Sequence, residues 1–251
     1  MPTTFFVANW KMALPFSKTI DFCTKNKEQF DALGKKGSVI LCPSFTALSH
    51  AAQIFKGTSI FLGGQNCGEF PDGAYTGEEC AASLAQVGCN YCIIGHSERR
   101  IHVNETSVNV AAKVLRLFEQ KICPIICIGE TKHEHDRKET LEVLRYQLEP
   151  VFFNINAFSP AQPSVLIAYE PVWSIGSGVV PSEDHLRKVF DYLKKECSKN
   201  IPAQTKWHLL YGGSVDTNNA KQIKQVDGVD GFLIGGASLD FQNFKNIVSL
   251  F

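Results

Sequence analysis

No stretch of this chain approaches the roughly 20 consecutive apolar residues that a bilayer-spanning helix needs. The opening Met1-Pro2-Thr3-Thr4 has no basic region, and the apolar run behind it, Phe5 to Ala8, is too short for a secretory signal. A protein without a membrane segment, residing in the cytosol, is therefore expected. An excess of charge of either sign is also missing. Twenty-five basic residues balance 25 acidic ones, which argues against nucleic acid or an anionic membrane as partner. A disulfide framework is absent too: nine cysteines are an odd number, scattered from Cys23 to Cys197. Most sit in apolar runs such as Ile126-Cys127-Ile128, as suits reduced, buried thiols. Cys89-Asn90-Tyr91-Cys92 is a lone CxxC with no second pair to complete a zinc site. If Tyr91 to Gly95 is a strand, positions three apart face opposite ways and the sulfurs do not converge. His133-Glu134-His135 lies in the charged stretch Lys132 to Glu139 and reads as a solvated helix start rather than a metal site. Finally, no GxGxxG turn follows the first apolar run, which ends in Asn9-Trp10-Lys11 with no glycine before Gly34. That weighs against an open dinucleotide-binding sheet.

What is present is alternation. Short runs rich in Val, Ile, Leu, Phe and Cys recur at Phe5–Asn9, Val39–Cys42, Ile60–Gly64, Tyr91–Gly95, Ile122–Cys127, Val165–Tyr169, Trp207–Tyr211 and Gly231–Gly235. Most are continuous rather than alternating, the pattern of strands covered on both faces in a parallel sheet. Helical signals lie between them. Ser17 to Leu33 and Glu105 to Gln120 carry apolar stripes, Ser182-Glu183-Asp184 opens a helix with a capping residue and two acids, and Asp240 to Leu250 closes the chain. Eight strand–helix units in 251 residues predict one (β/α)₈ barrel over residues 1–251, a fold that typically takes about 250 residues.

In such a barrel, active sites form where strands end at the C-terminal rim. The predicted strand ends bring there Asn9 and Lys11, Gln65-Asn66, His96-Ser97-Glu98-Arg99-Arg100, Gly129-Glu130, Glu170, Gly212-Gly213-Ser214 and Gly235-Gly236. Glu170 ends a strand, Pro171 stiffens the chain after it, and Ser174-Ile175-Gly176-Ser177-Gly178 permits a hinged loop. A carboxylate beside a lid suits proton abstraction away from water. The glycine pairs after the seventh and eighth strands let backbone N–H groups approach a phosphate, each just ahead of a helix.

The chain resembles the triosephosphate isomerase family over its whole length. The resemblance rests on Ala8-Asn9-Trp10-Lys11-Met12, Gly73-Ala74-Tyr75-Thr76-Gly77-Glu78, Ile94-Gly95-His96-Ser97-Glu98-Arg99-Arg100, Cys127-Ile128-Gly129-Glu130, Tyr169-Glu170-Pro171-Val172-Trp173, Tyr211-Gly212-Gly213-Ser214-Val215 and Gly235-Gly236-Ala237-Ser238-Leu239. It implies interconversion of dihydroxyacetone phosphate and glyceraldehyde 3-phosphate through an enediol(ate), with no metal or organic cofactor. Glu170 corresponds to the base, His96 to the group that polarises the carbonyl and shuttles protons between the oxygens, and Lys11 to the cation that offsets oxyanion charge. The family is itself a standard illustration of that carboxylate–imidazole pairing. Asn9 matches a substrate-orienting position, and Gly176, Ser214, Gly235 and Gly236 match phosphate-gripping ones. Glu98 resembles the acidic partner of the lysine, and Ser97 lies beside it as a supporting residue. The long loop from Gln65 to Glu78 implies a homodimer, with Thr76 inserting near Lys11 of a second copy. Departures from the family pattern are Val179-Val180 in place of a charged or bulkier lid residue, Ala13 after Lys-Met, and Ser107-Val108 in place of an acidic pair. A barrel enzyme acting on another sugar phosphate would keep the glycine corner without needing the His96, Glu170 and Lys11 set. A non-catalytic scaffold would signal itself by losing one of the three.

Overall fold

The eight apolar runs become eight strands of a closed parallel barrel in the computed structural model, which describes residues 4–158 and 164–251. Met1-Pro2-Thr3 lies outside the described residues. The strands are β1 (Phe5–Asn9), β2 (Ser38–Cys42), β3 (Phe61–Gly64), β4 (Tyr91–Ile94), β5 (Cys123–Ile128), β6 (Val165–Tyr169), β7 (Trp207–Tyr211) and β8 (Gly231–Ile234), each paired to the next and β8 to β1. The helices are α1 (Phe16–Gly34), α2 (Phe45–Phe55), α3 (Ala81–Gln86), α4 (Ser97–His102), α5 (Ser107–Glu119), α6 (Lys132–Asp136), α7 (Thr140–Ala157), α8 (Glu183–Asn200), α9 (Ala220–Lys224) and α10 (Phe241–Val248). Short 3₁₀ turns cover Val172–Ser174 and Gly236–Leu239.

Differences from the sequence reading are local, and each has a cause. The helix expected from Glu105 begins at Ser107 because Thr106 caps it, its hydroxyl accepting from the Asn109 amide. Glu105 is thereby free to turn inward to Gly95 and Arg99. The helix expected just after Gly212-Gly213 starts only at Ala220, since the Asp216 carboxylate holds the Asn218 and Asn219 amides in a turn. Cys89 precedes β4, so strand alternation is not what separates it from Cys92; both are free and buried. Of the nine cysteines, only Cys80 is less than buried. Among the described residues, no helix is long and apolar enough to cross a membrane.

Two apolar cores follow from the period of two along each strand. Phe6, Ala8, Val39, Leu41, Ile126 and Ile167 face outward into the layer shared with the helices. Phe5, Val7, Ile40, Ile93, Ile125, Leu166, Ala168, Leu210 and Leu233 fill the barrel interior. Extending the inward series by one step gives the upper rim. Phe5 and Val7 lead to Asn9, Leu166 and Ala168 to Glu170, Leu210 to Gly212, and Leu233 to Gly235. The alternation that packs the core therefore also aims a carboxamide, a carboxylate and two glycines into the barrel mouth.

Candidate active site

Lys11 sits in a left-handed backbone conformation (φ 49°), which costs a non-glycine residue about 1–2 kcal/mol. Its surroundings hold it there: the Asn9 carboxamide oxygen accepts from the Lys11 amide at 3.0 Å, and the Gln65 side chain donates to the Lys11 carbonyl at 2.8 Å. A strained residue so fixed delivers its amine to a set place. Lys11 Nζ meets Glu98 Oε1 at 2.6 Å. Partial burial raises the Glu98 carboxyl, but the Lys11 ammonium and the imidazoles nearby together outweigh it, and the group lies below its ordinary value.

His96 caps α4, with Nδ1 accepting from the Glu98 amide at 3.2 Å. An Nδ1 that accepts carries no proton, so the neutral ring bears its hydrogen on Nε2. That nitrogen points at Glu170 Oε1, 3.1 Å away. The other carboxylate oxygen, Oε2, accepts from the Ser97 amide at 3.0 Å. Glu170 is 2% exposed, so its charge is held by N–H donors rather than by water.

Two glycines make this placement possible. A Cβ at Gly129 would lie 1.7 Å from the Glu170 carbonyl oxygen, and one at Gly212 would lie 2.9 Å from Glu170 Cγ. The backbone after β5 can thus approach that after β6, and the Glu170 side chain has room to sit. Gly236 is different: a Cβ there meets nothing within 4 Å. Packing does not demand glycine at that position; an uncovered peptide facing the cleft gives it a use.

Asn9, Lys11, His96, Glu170, Gly176, Ser214, Gly235 and Gly236 all line one cleft of about 220 Å³. That is smaller than the roughly 300–1,000 Å³ of drug-sized pockets, as suits a ligand of few atoms. Glu98 and Ser97 stand behind it, through the Lys11 ion pair and the Glu170 amide bond. Thr76 is not part of it: it lies exposed on the loop after β3, next to Tyr75, whose ring stacks on Phe70 at 4.1 Å.

The segment from Pro171 to Pro181 roofs the cleft. Ser174 Oγ donates to the Val179 carbonyl at 2.6 Å, Ser177 Oγ donates to the Ser174 carbonyl, and Gly176 and Gly178 both have positive φ. Ser214 Oγ donates to the Ser174 carbonyl at 2.6 Å, tying this roof to the turn after β7. At its start, Trp173 Nε1 donates to Glu130 Oε1 at 2.8 Å. Sequence reasoning missed this last anchor. Glu130 was legible as a strand end, but nothing marked Trp173, His135 and His185 as its surroundings. Burial and the neighbouring His135 and Lys188 push the His185 imidazole down to about 4, so it is neutral at physiological pH. His135 also departs from the expected solvated helix start. α6 is capped by Thr131 as such a start should be, but the His135 ring packs at 4.2 Å on Trp173.

Sequence reasoning also missed a buried charge network under the rim. Glu105 takes an ion pair from Lys113 and a 2.9 Å bond from Arg99 Nε, and accepts from the Gly95 amide at 3.0 Å. Lys113 also reaches Asn66 at 2.8 Å. The network fixes the exit of β4, from which His96 projects.

A (β/α)₈ barrel whose mouth gathers a buried carboxylate, a neutral imidazole and an amine beneath a hinged roof defines a barrel enzyme. Its kind follows from comparison with known proteins. Residues 4–251 match the family model described as triosephosphate isomerase. The chain is 36% identical over 243 residues to the triosephosphate isomerase of Alkaliphilus oremlandii, covering 96% of both. It is 37% identical over 247 residues to that of Jannaschia sp., covering 96% of this chain and 95% of the relative. With that of Aquifex aeolicus it shares 34% over 245 residues, 97% of this chain and 98% of the relative. The chain belongs to the triosephosphate isomerase family.

Proposed function

We propose that this barrel, acting as a single catalytic unit, interconverts dihydroxyacetone phosphate and glyceraldehyde 3-phosphate by moving a proton between neighbouring carbons. The observation that carries this reading is the 3.1 Å approach of His96 Nε2 to Glu170 Oε1 inside one cleft. A carboxylate base and an N–H donor so close can act on adjacent atoms of one small substrate.

Binding places the substrate carbonyl against the Nε2 hydrogen, displacing Glu170 Oε1 and freeing its lone pair for the carbon-bound proton. As Glu170 takes that proton, negative charge develops on the carbonyl oxygen. The His96 Nε2–H and the Lys11 ammonium face that charge without reorganising, which is how preorganised donors lower a barrier. His96 gives its Nε2 proton to that oxygen and takes the hydroxyl proton from the neighbouring one, while the proton held by Glu170 returns to the neighbouring carbon, so that one proton has moved between the carbons and one between the oxygens. The shift is redox-neutral and calls for no electron carrier. Asn9 orients the oxygens. The amides of Gly176, Gly235 and Gly236 and the Ser214 hydroxyl take the phosphate, for which Ser214 gives up its bond to Ser174. The roof from Pro171 to Pro181 then excludes water from the enediolate.

The active form in this reading is a cytoplasmic homodimer. Met12, next to Lys11, is 96% exposed, and Phe45, Phe70, Tyr75 and Ile101 are also uncovered. They lie on the stretches that follow β1, β2, β3 and β4, and large uncovered apolar side chains mark a surface that a partner covers. Thr76 beside the Phe70–Tyr75 stack would insert against the second copy near its Lys11.

A coupled assay of glyceraldehyde 3-phosphate conversion tests the assignment. The wild type should turn over rapidly and Glu170→Gln should be slower by about 10³-fold or more. A wild type no faster than the variant would refute it.

A further inference from the structure

Glu130 is fully buried, yet among the described residues no lysine or arginine pairs with it. Its carboxylate accepts from Trp173 Nε1 at 2.8 Å and from the Tyr169 hydroxyl at 3.1 Å, both neutral donors. The titratable neighbours that complete the pocket are two imidazoles. His135 Nδ1 stands 3.5 Å and His185 Nε2 3.8 Å from Glu130 Oε1. His135 Nδ1 is shielded from solvent and has no hydrogen-bond partner. One ligand atom from each of the three side chains falls within 4.8 Å of the others. A buried anion whose nearest groups able to carry a positive charge are two imidazoles is short of positive charge.

We propose that Glu130, His135 and His185 form a binding site for a zinc-class divalent cation at the hinge of the roof. Two imidazole nitrogens and a carboxylate oxygen are the donor set such ions prefer, leaving a fourth position for water. Around an ion held at about 2.0–2.2 Å, tetrahedral ligand atoms lie about 3.4 Å apart. The two nitrogens therefore stand within a few tenths of an ångström of their required distances from Oε1. The main rearrangement is at Tyr169, whose hydroxyl now lies 2.8 Å from His185 Nε2. When that hydroxyl donates to Glu130 Oε2 instead, the Nε2 lone pair is released for the ion and Tyr169 becomes the outer partner that orients the carboxylate. The two imidazoles offer ligand atoms within 4.8 Å of each other, so His135, on the short helix α6, and His185 close together around the ion.

The position gives the site a consequence. Glu130 Oε1 is the acceptor that holds Trp173, the second residue of the 3₁₀ turn that begins the roof. A cation on that oxygen repels the Trp173 N–H and loosens the hinge, so the bound ion slows turnover without occupying the substrate cleft.

Titration calorimetry of the intact protein with ZnCl₂, and visible absorption with CoCl₂, test the site independently of the isomerase assignment. The expected result is one ion per chain, with d–d bands of four-coordinate cobalt and no intense thiolate charge-transfer band. His135→Ala and His185→Asn should each weaken binding about tenfold or more, and His133→Ala, two residues away on α6, should leave it unchanged. Binding unaffected by His135→Ala, or a thiolate band pointing to Cys80, would overturn the site. The second arm rests on the isomerase reading: saturating ZnCl₂ should lower kcat several-fold with little change in KM, EDTA should restore it, and His135→Ala should abolish the effect. Zinc bound at this site with kcat unchanged would overturn the coupling to the hinge.

Discussion

Glu170 is one residue beyond a strand, and its direction is decided by counting. Leu166 and Ala168 point into the barrel, so Glu170 does as well. Its placement then depends on a side chain that is missing, that of Gly212. In Gly212→Ala the new methyl must push Glu170 Cγ away from a 2.9 Å contact. Misplacing a catalytic group by about an ångström costs about 10²-fold, so kcat should fall about 10- to 100-fold. Thermal melting should move little, because the displaced group is a single side chain. An unchanged kcat would mean that the observed position of Glu170 is not the productive one. This residue scale was the most legible in the sequence, since strand ends and residue types both show there. What could not be read was contact between residues distant in the chain. The Ser97 amide on Glu170 and the Ser214 hydroxyl on Ser174 carry no local signature. Tyr169, His135 and His185 around Glu130 belong to β6, α6 and α8 respectively, and their meeting is a product of the closed barrel alone.

At the scale of elements, the boundaries followed capping chemistry. β1, β6 and β7 fall where the apolar runs placed them. Two helix starts moved where a side chain took another partner, Glu105 turning inward to Gly95 and Arg99 and Asp216 holding the turn before α9. The Glu105 carboxylate is raised by burial but lowered further by Lys113 and Arg99, and lies below its ordinary value of 4.5. A carboxyl whose folded value is depressed stabilises the fold fully above its unfolded value, and that stability is lost as pH falls through the folded value. Urea midpoints should therefore drop below about pH 4.5 in the wild type. Glu105→Gln should be destabilised by about 3 kcal/mol or more at neutral pH, because Lys113 is left buried without its partner. It should also show a shallower decline in acid. Identical acid profiles for the two proteins would rule out the network as a source of stability. The roof is a second element with its own test. Trp173→Phe removes the N–H that anchors the hinge to Glu130, and stopped-flow turnover should show kcat several-fold lower with KM nearly unchanged. A kcat equal to the wild type's would separate the hinge bond from the closing step.

For the whole molecule, the closed barrel explains why nine cysteines coexist without a disulfide. Burial pushes the Cys23, Cys89 and Cys197 thiols up to about 12, and Cys42, Cys92 and Cys127 well above their ordinary range. A thiol-reactive dye should label Cys80 in the native protein and all nine only after denaturation. Rapid labelling at several positions would show that the barrel opens far more readily than its packing allows. Assembly belongs to this scale as well. Thr76→Glu would bury a charge in the proposed dimer contact, so sedimentation should find monomers where the wild type sediments as a dimer. Activity should fall with the dimer, since Lys11 loses its cover. A wild type that sediments as a monomer, or a variant that remains a fully active dimer, would contradict that arrangement. The barrel itself was legible because eight runs of the right length imply it. The exposure of Met12 and Ile101 was not, because exposure is a property of the folded surface.

The central claim, that the barrel mouth moves a proton between adjacent carbons, is tested most directly by turning over dihydroxyacetone phosphate in D₂O and reading the product by NMR. Deuterium should enter at the carbon that gains hydrogen in a fraction of turnovers, since a proton held on Glu170 is acidic and exchanges in competition with its return. Incorporation should vanish along with turnover in Glu170→Gln. Product formed without deuterium at that carbon by the wild type and at the same rate by Glu170→Gln would mean that hydrogen passes between the carbons without the carboxylate, and the role given to Glu170 would fall.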